Sequence, residues 1–129
     1  MHHSRILVVD DEEGIRQLFV DILVPKGYEV VVAASGHEAL ERAREAAFNV
    51  VFLDIKMPGM NGVEAFEALR EINPRSQYVM ITGYAGSDLV DQSLAGGALL
   101  CLNKPFGVAD VLDLVRSLER QSAQVGSES

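Results

Sequence analysis

Residues 6–11 read Ile6-Leu7-Val8-Val9-Asp10-Asp11, an apolar run with no polar break, closed by two acids. The same figure returns at Val50-Val51-Phe52-Leu53-Asp54, at Val79-Met80-Ile81-Thr82 and at Leu99-Leu100-Cys101-Leu102-Asn103-Lys104. A run too short for a buried helix and lacking polar alternation reads as a strand covered on both faces, the kind found in parallel sheets. In such sheets ligands bind at the carboxyl ends of the strands, where the chain order reverses. The spacing therefore predicts that Asp10, Asp11, Asp54, Thr82 and Lys104 converge on one rim. Carboxylates, a hydroxyl and an ammonium gathered there suit a divalent cation and a phosphoryl group.

Between these runs the apolar period lengthens to that of a helix. Ile15, Leu18, Phe19, Ile22 and Leu23 form a stripe that predicts a helix over roughly residues 12–24, ended by Pro25 and Gly27. Tyr28 to Ala33 is the expected second strand, and Ser35-Gly36-His37-Glu38 is a capping-box sequence opening a helix to about Ala47. Val50 to Leu53 is the third strand. Met57-Pro58-Gly59-Met60-Asn61-Gly62 is a breaker-rich loop, with Asn61 and Glu64 placed to cap a helix that carries Val63, Phe66, Leu69 and Ile72 and stops at Asn73-Pro74. Tyr78 to Ile81 is the fourth strand, Ser87 to Ala95 a short helix ended by Gly96-Gly97, and Leu99 to Leu102 the fifth strand. After a turn at Lys104-Pro105, a last helix over about 107–121 turns Val108, Val111, Leu112, Val115 and Leu118 inward, with Leu114 on the shoulder of the stripe. Five strand–helix pairs predict one α/β domain over residues 1–121, a five-stranded parallel sheet doubly wound as (βα)5 with right-handed crossovers. Residues 122–129 are polar and small, a tail or linker stub.

At 129 residues the chain buries roughly two thirds of its unfolded surface and needs no disulfide or structural metal to fold. Cys101, the single cysteine, is expected as a buried thiol within the fifth strand. Eleven Lys and Arg against 19 Asp and Glu give a formal charge of -8, which excludes non-specific binding of nucleic acid or of an anionic membrane by this domain. No apolar run approaches the roughly 20 residues of a membrane span, and Met1-His2-His3-Ser4 does not open a signal peptide, so a cytoplasmic location is expected. The run Asp10-Asp11-Glu12-Glu13 has a second reading, as a solvated helix start where the dipole favours anions.

Carboxylates about 5 Å apart repel by roughly 1 kcal/mol in water and by several at a protein-like dielectric, so a rim of them calls for a cation. An all-oxygen site with few protein ligands suits Mg²⁺, with Mn²⁺ able to substitute. Asp54, apart from the Asp10-Asp11 pair, is a third metal ligand or a nucleophile, since carboxylates attack phosphorus to give an aspartyl phosphate. Lys104 and the Thr82 hydroxyl supply further contacts to a transferring phosphoryl group, and Gly83 keeps the approach open. Taken singly, Lys104 reads as a solvated lysine and Thr82 as a strand-end residue; their joint placement at strand ends gives them a function.

The sequence resembles the response-regulator receiver domain of two-component signalling over roughly residues 4–121, on Asp10-Asp11, the stretch Leu53-Asp54-Ile55-Lys56-Met57-Pro58-Gly59-Met60-Asn61-Gly62, Thr82-Gly83 and Lys104-Pro105-Phe106. The resemblance implies a flavodoxin-like sheet with strand order 2-1-3-4-5. It implies Asp54 as phosphoacceptor, Mg²⁺ held by Asp10, Asp11, Asp54 and the backbone carbonyl of Lys56, and Thr82 and Lys104 in contact with the phosphoryl group. The phosphoryl donor would be a phosphohistidine on a sensor histidine kinase or phosphotransfer protein, and the output an unidentified protein partner of a monomer or weak dimer. Such a chain catalyses only its own phosphorylation and dephosphorylation.

At one position the chain departs from that family. Three residues before the lysine, receivers usually carry Tyr or Phe, whose ring moves with the threonine; here stands Cys101. Tyr84, two residues after Thr82, is similar to a tyrosine of some single-domain receivers and would complete a switch set of Thr82, Tyr84 and Cys101; otherwise it is a loop aromatic. An alternative function follows, a receiver-like module that docks constitutively. A metal-dependent phosphatase is disfavoured, because that chemistry wants a second acid near the nucleophile and the chain has Lys56 there. His2, His3 and His37 do not form a phosphodonor helix, so phosphate must come from outside the chain.

Overall fold

The apolar runs pair with one another in parallel, which is why they carry no polar face. A computed structural model describes residues 4–83 and 88–128, with side chains to residue 121, and shows strictly alternating elements. These are β1 (Arg5–Val9), α1 (Glu13–Leu23), β2 (Glu29–Ala33), α2 (Gly36–Glu45), β3 (Val50–Asp54), α3 (Gly62–Ile72), β4 (Gln77–Thr82), α4 (Asp88–Ala95), β5 (Leu100–Asn103) and α5 (Val108–Glu128). The five strands form one sheet in the order β2-β1-β3-β4-β5. Their register aligns the carboxyl ends: Val9 pairs with Leu53, Asp54 with Ile81, and Thr82 with Asn103.

Successive strand residues point to opposite faces, so one sheet builds two cores. Leu7, Val9, Val51, Leu53 and Met80 meet Ala39 and Leu40 of α2, Phe66 and Leu69 of α3 and Val90 of α4. Ile6, Val8, Phe52, Val79 and Ile81 meet Phe19, Ile22 and Leu23 of α1 and Val111, Val115 and Leu118 of α5. Phe19 packs against Phe52 in a tilted pair with ring centroids 4.7 Å apart, and Phe66 meets Tyr78 edge-on at 5.2 Å. Each such fully buried ring contributes about 2–3 kcal/mol of burial, and these layers hold the rim in place.

The expected breakers act where the sequence places them. After α1 a single 3₁₀ turn carries Pro25, and Gly27 closes it at φ 94°. Ser35 accepts the Glu38 N–H at 3.1 Å, while Asn61 and Glu64 form a complete reciprocal capping box.

Several expectations need correction. Val108 is not inward but 57% exposed, because it opens α5 before the helix reaches the sheet; burial begins at Val111. Leu99 precedes β5 and is largely exposed, and Cys101 is half-buried rather than buried, because β5 is a short edge strand with one neighbour. The last helix does not end near residue 121 but continues to Glu128. Among the described residues no helix is long and apolar enough to cross a membrane.

Candidate functional site

From β1 the chain passes outward to β2, then returns to β3 on the opposite side of β1, so the order reverses between β1 and β3. The crevice of a doubly wound sheet opens at such a point. Asp10 follows β1 and Asp54 ends β3, so the two acids flank it; Thr82 ends β4 and Lys104 follows β5. Backbone bonds fix these termini. The Asp10 N–H donates to the Ala33 carbonyl at 3.1 Å, Ile55 N–H to the Ile81 carbonyl at 2.9 Å, and Lys104 N–H to the Thr82 carbonyl at 2.7 Å.

Of the side chains that the sequence selects, the rim brings Asp10, Asp54 and Lys104 together, with Asp11 beside Asp10 and Thr82 at the end of the adjacent strand. Asp10, Asp54 and Thr82 are buried, whereas Asp11, Glu12 and Lys56 are exposed. The Lys104 ammonium lies 3.1 Å from Glu12 Oε1, 3.3 Å from Asp10 Oδ2 and 3.8 Å from Asp54 Oδ2. Asp10 Oδ1 accepts the Glu12 N–H at 2.9 Å, and the Asp10 carbonyl accepts from Arg16 Nη1 at 2.7 Å. Glu12, Asp54, Lys56, Gly83 and Lys104 line an open cavity of about 190 Å³.

Burial governs the charges here. Asp54 is pushed up to about 7, first by burial and then by the neighbouring Asp10 carboxylate, against the pull of Lys104 and a hydrogen bond from the Lys56 backbone. Asp10 is also raised, by burial first. Burial works against the Lys104 ammonium, but the surrounding carboxylates outweigh it and raise its pKa. Two buried acids held above their ordinary range mark a site short of positive charge.

Carboxylate oxygens of Asp10, Asp11 and Glu12 lie within 4.8 Å of one another, and the buried Asp10 Oδ2 has the Lys104 ammonium 3.3 Å away without an aligned hydrogen bond. An oxygen-only set that includes a buried carboxylate fits a hard divalent cation. Glu12 is the residue that sequence reasoning missed, since the acidic run that contains it also reads as a helix start. Asp54 stands outside this trio and is joined to it through Lys104. Tyr84 lies outside the described residues, as do His2 and His3; His37 is exposed in the first turn of α2. Burial raises the Cys101 thiol, which packs at the margin of the α2–α4 core.

Residues 6–116 match the Response regulator receiver domain family. The chain is 34% identical over 116 residues to sporulation initiation phosphotransferase F of Bacillus subtilis (strain 168), covering 90% of this chain and 94% of that protein. It is 31% identical over 118 residues to the chemotaxis protein CheY of Thermotoga maritima, covering 91% and 98%. The crystal structure of a CheY-like response regulator receiver domain protein from Methanospirillum hungatei JF-1 superposes with a TM-score of 0.88 at 35% identity, covering 95% of this chain and 99% of that one.

Proposed function

This chain belongs to the response regulator receiver domain family, and on that premise we propose that it accepts a phosphoryl group on Asp54 from a phosphohistidine of a partner kinase or phosphotransfer protein and thereby changes its affinity for an output partner. Relatives of nearly the same length are named as a phosphotransferase and a chemotaxis protein, which supports a signalling module that passes on a phosphoryl-borne state. The observation that carries the reading is the Asp54 carboxylate, buried at a strand end, opening on a cavity and facing an ammonium 3.8 Å away.

In the transfer an Asp54 carboxylate oxygen forms the O–P bond as the P–N bond of phosphohistidine breaks, and the imidazole leaves with the electron pair. The neutral acid is a poor nucleophile, so Asp54 must be ionised; Lys104 favours that form. Lys104 and the Thr82 hydroxyl then donate to oxygens of the transferred group, whose charge is spread over its periphery. Asp10, Asp11 and Asp54, with the Lys56 carbonyl, would hold Mg²⁺, which supplies charge neutralisation for the phosphoryl oxygens. Asp10, the buried carboxylate of the acidic trio, is the strongest member of that set.

The test uses acetyl phosphate with and without Mg²⁺. Wild-type protein should gain the mass of one phosphoryl group only when Mg²⁺ is present, and Asp54→Ala should gain none. Mass gain in that variant would reassign the acceptor. Unchanged partner affinity after full phosphorylation would favour a constitutively docked module.

A further inference from the structure

We infer that Glu12 is a positioning residue for Lys104, an exposed carboxylate that holds the ammonium in the resting site and must release it when a phosphoryl group arrives; this assignment rests on Asp54 being phosphorylated as proposed above. An ammonium has three N–H donors. Glu12 takes one of them in a hydrogen bond at 3.1 Å, and the Asp10 and Asp54 carboxylates face the ammonium at 3.3 and 3.8 Å, so a phosphoryl oxygen arriving beside Asp54 competes with Glu12 for Lys104. Asp54 is the acceptor. Asp10 is fully buried, and losing its cation would strand a charge in the interior. Glu12 has a side chain 62% exposed and can turn to water at little cost.

The Glu12 backbone does not share this freedom. Its N–H binds Asp10 Oδ1, and its carbonyl accepts the N–H groups of Ile15 and Arg16, both at 3.2 Å, at the start of α1. The carboxylate is therefore anchored at its base and free at its tip, and it forms a wall of the cavity beside Asp54. Two effects with the same sign follow. Glu12 repels an incoming anion, and it occupies the N–H that the anion needs. With acetyl phosphate as donor, an Asp54 oxygen bonds to phosphorus while the bond from phosphorus to the acetyl oxygen breaks, and acetate leaves with the electron pair.

Glu12→Gln keeps the size and removes the charge. Its phosphorylation rate with acetyl phosphate, a dianion, should rise by about 3- to 10-fold over wild type at low ionic strength. The gain should be smaller with phosphoramidate, a monoanion, and should shrink as salt is added. A purely structural effect would change both donors alike and ignore salt. An unchanged rate, or a gain equal for both donors, overturns the assignment; so does a slower rate with weakened Mg²⁺ affinity, which would make Glu12 a metal ligand. Lys104 side-chain NMR resonances of the unphosphorylated, metal-free protein should also shift in Glu12→Gln, and no shift would disprove the contact. Wild-type protein that takes phosphate from neither donor would overturn the proposed function itself, whereas normal wild-type phosphorylation with an unaltered variant removes only the role of Glu12.

Discussion

Asp54 ionises against the pull of its surroundings, since burial and the Asp10 carboxylate raise it from 3.8 to about 7. The folded state therefore holds this proton more tightly than the unfolded chain. The resulting stabilisation is full below pH 4 and is lost as pH rises through about 7. In metal-free buffer Asp54→Asn, which carries no charge, should be more stable than wild type at pH 8 by about 1–3 kcal/mol, and the difference should shrink at pH 5 and fade below about pH 4. Added Mg²⁺ should erase it by stabilising the charged wild type. Urea unfolding at these pH values measures this, and a variant less stable than wild type at pH 8 would refute the electrostatic account. The acids were legible in the sequence because each closes an apolar run. The partition among them was not: which oxygen lacks a hydrogen bond, and which carboxylate takes the short contact to Lys104, depends on side-chain directions in space.

The element that sets the geometry of Asp54 is α3. Its first residue, Gly62, donates its N–H to the Ile55 carbonyl at 2.8 Å and packs so closely that a methyl group there would collide with the Asp54 carbonyl and lie 2.6 Å from Ile55 Cα. Gly62→Ala should destabilise the fold by about 1–3 kcal/mol, because both colliding groups are backbone, and should slow Asp54 phosphorylation as well. Asn61→Ala, which removes the cap but leaves the close approach, should cost about 1 kcal/mol and leave the rate near wild type. Urea unfolding and acetyl phosphate rates for both variants separate the two roles; equal rate losses would show that α3 acts only through its stability. The capping box was readable as Asn61 with Glu64, a local pattern. The collision was not, since Gly62 also reads as an ordinary loop glycine.

Across the whole molecule, a latch at the amino ends of the strands ties the last helix to the first strands. Glu119 of α5 accepts from the Tyr28 hydroxyl at 2.6 Å and from the Ser4 N–H and hydroxyl at 3.2 and 3.0 Å. The phenol, buried and bonded to that carboxylate, is pushed up to about 12. Tyr28→Phe should cost about 1–2 kcal/mol at pH 7 in urea unfolding while leaving Asp54 phosphorylation unchanged, because the latch lies at the end of the sheet opposite the rim. A change in rate at unchanged stability would show that the two ends are coupled.

The sequence by itself determined the strands, the helices and the residues at the rim. Those depend on local quantities: unbroken apolar runs for strands buried on both faces, a 3.6-residue stripe for the helices, and breakers between them. Tertiary structure alone decided what depends on neighbours distant in the chain. Cys101 and Leu99 read as core but stay partly open because β5 lies at the edge of the sheet, and Val108 is exposed because its helix has not yet reached the sheet. The same holds for Glu12, whose charge only acquires a task because Lys104, 92 residues away, is brought within 3.1 Å of it. Periodicity records which face of an element is apolar, and only packing determines what covers that face.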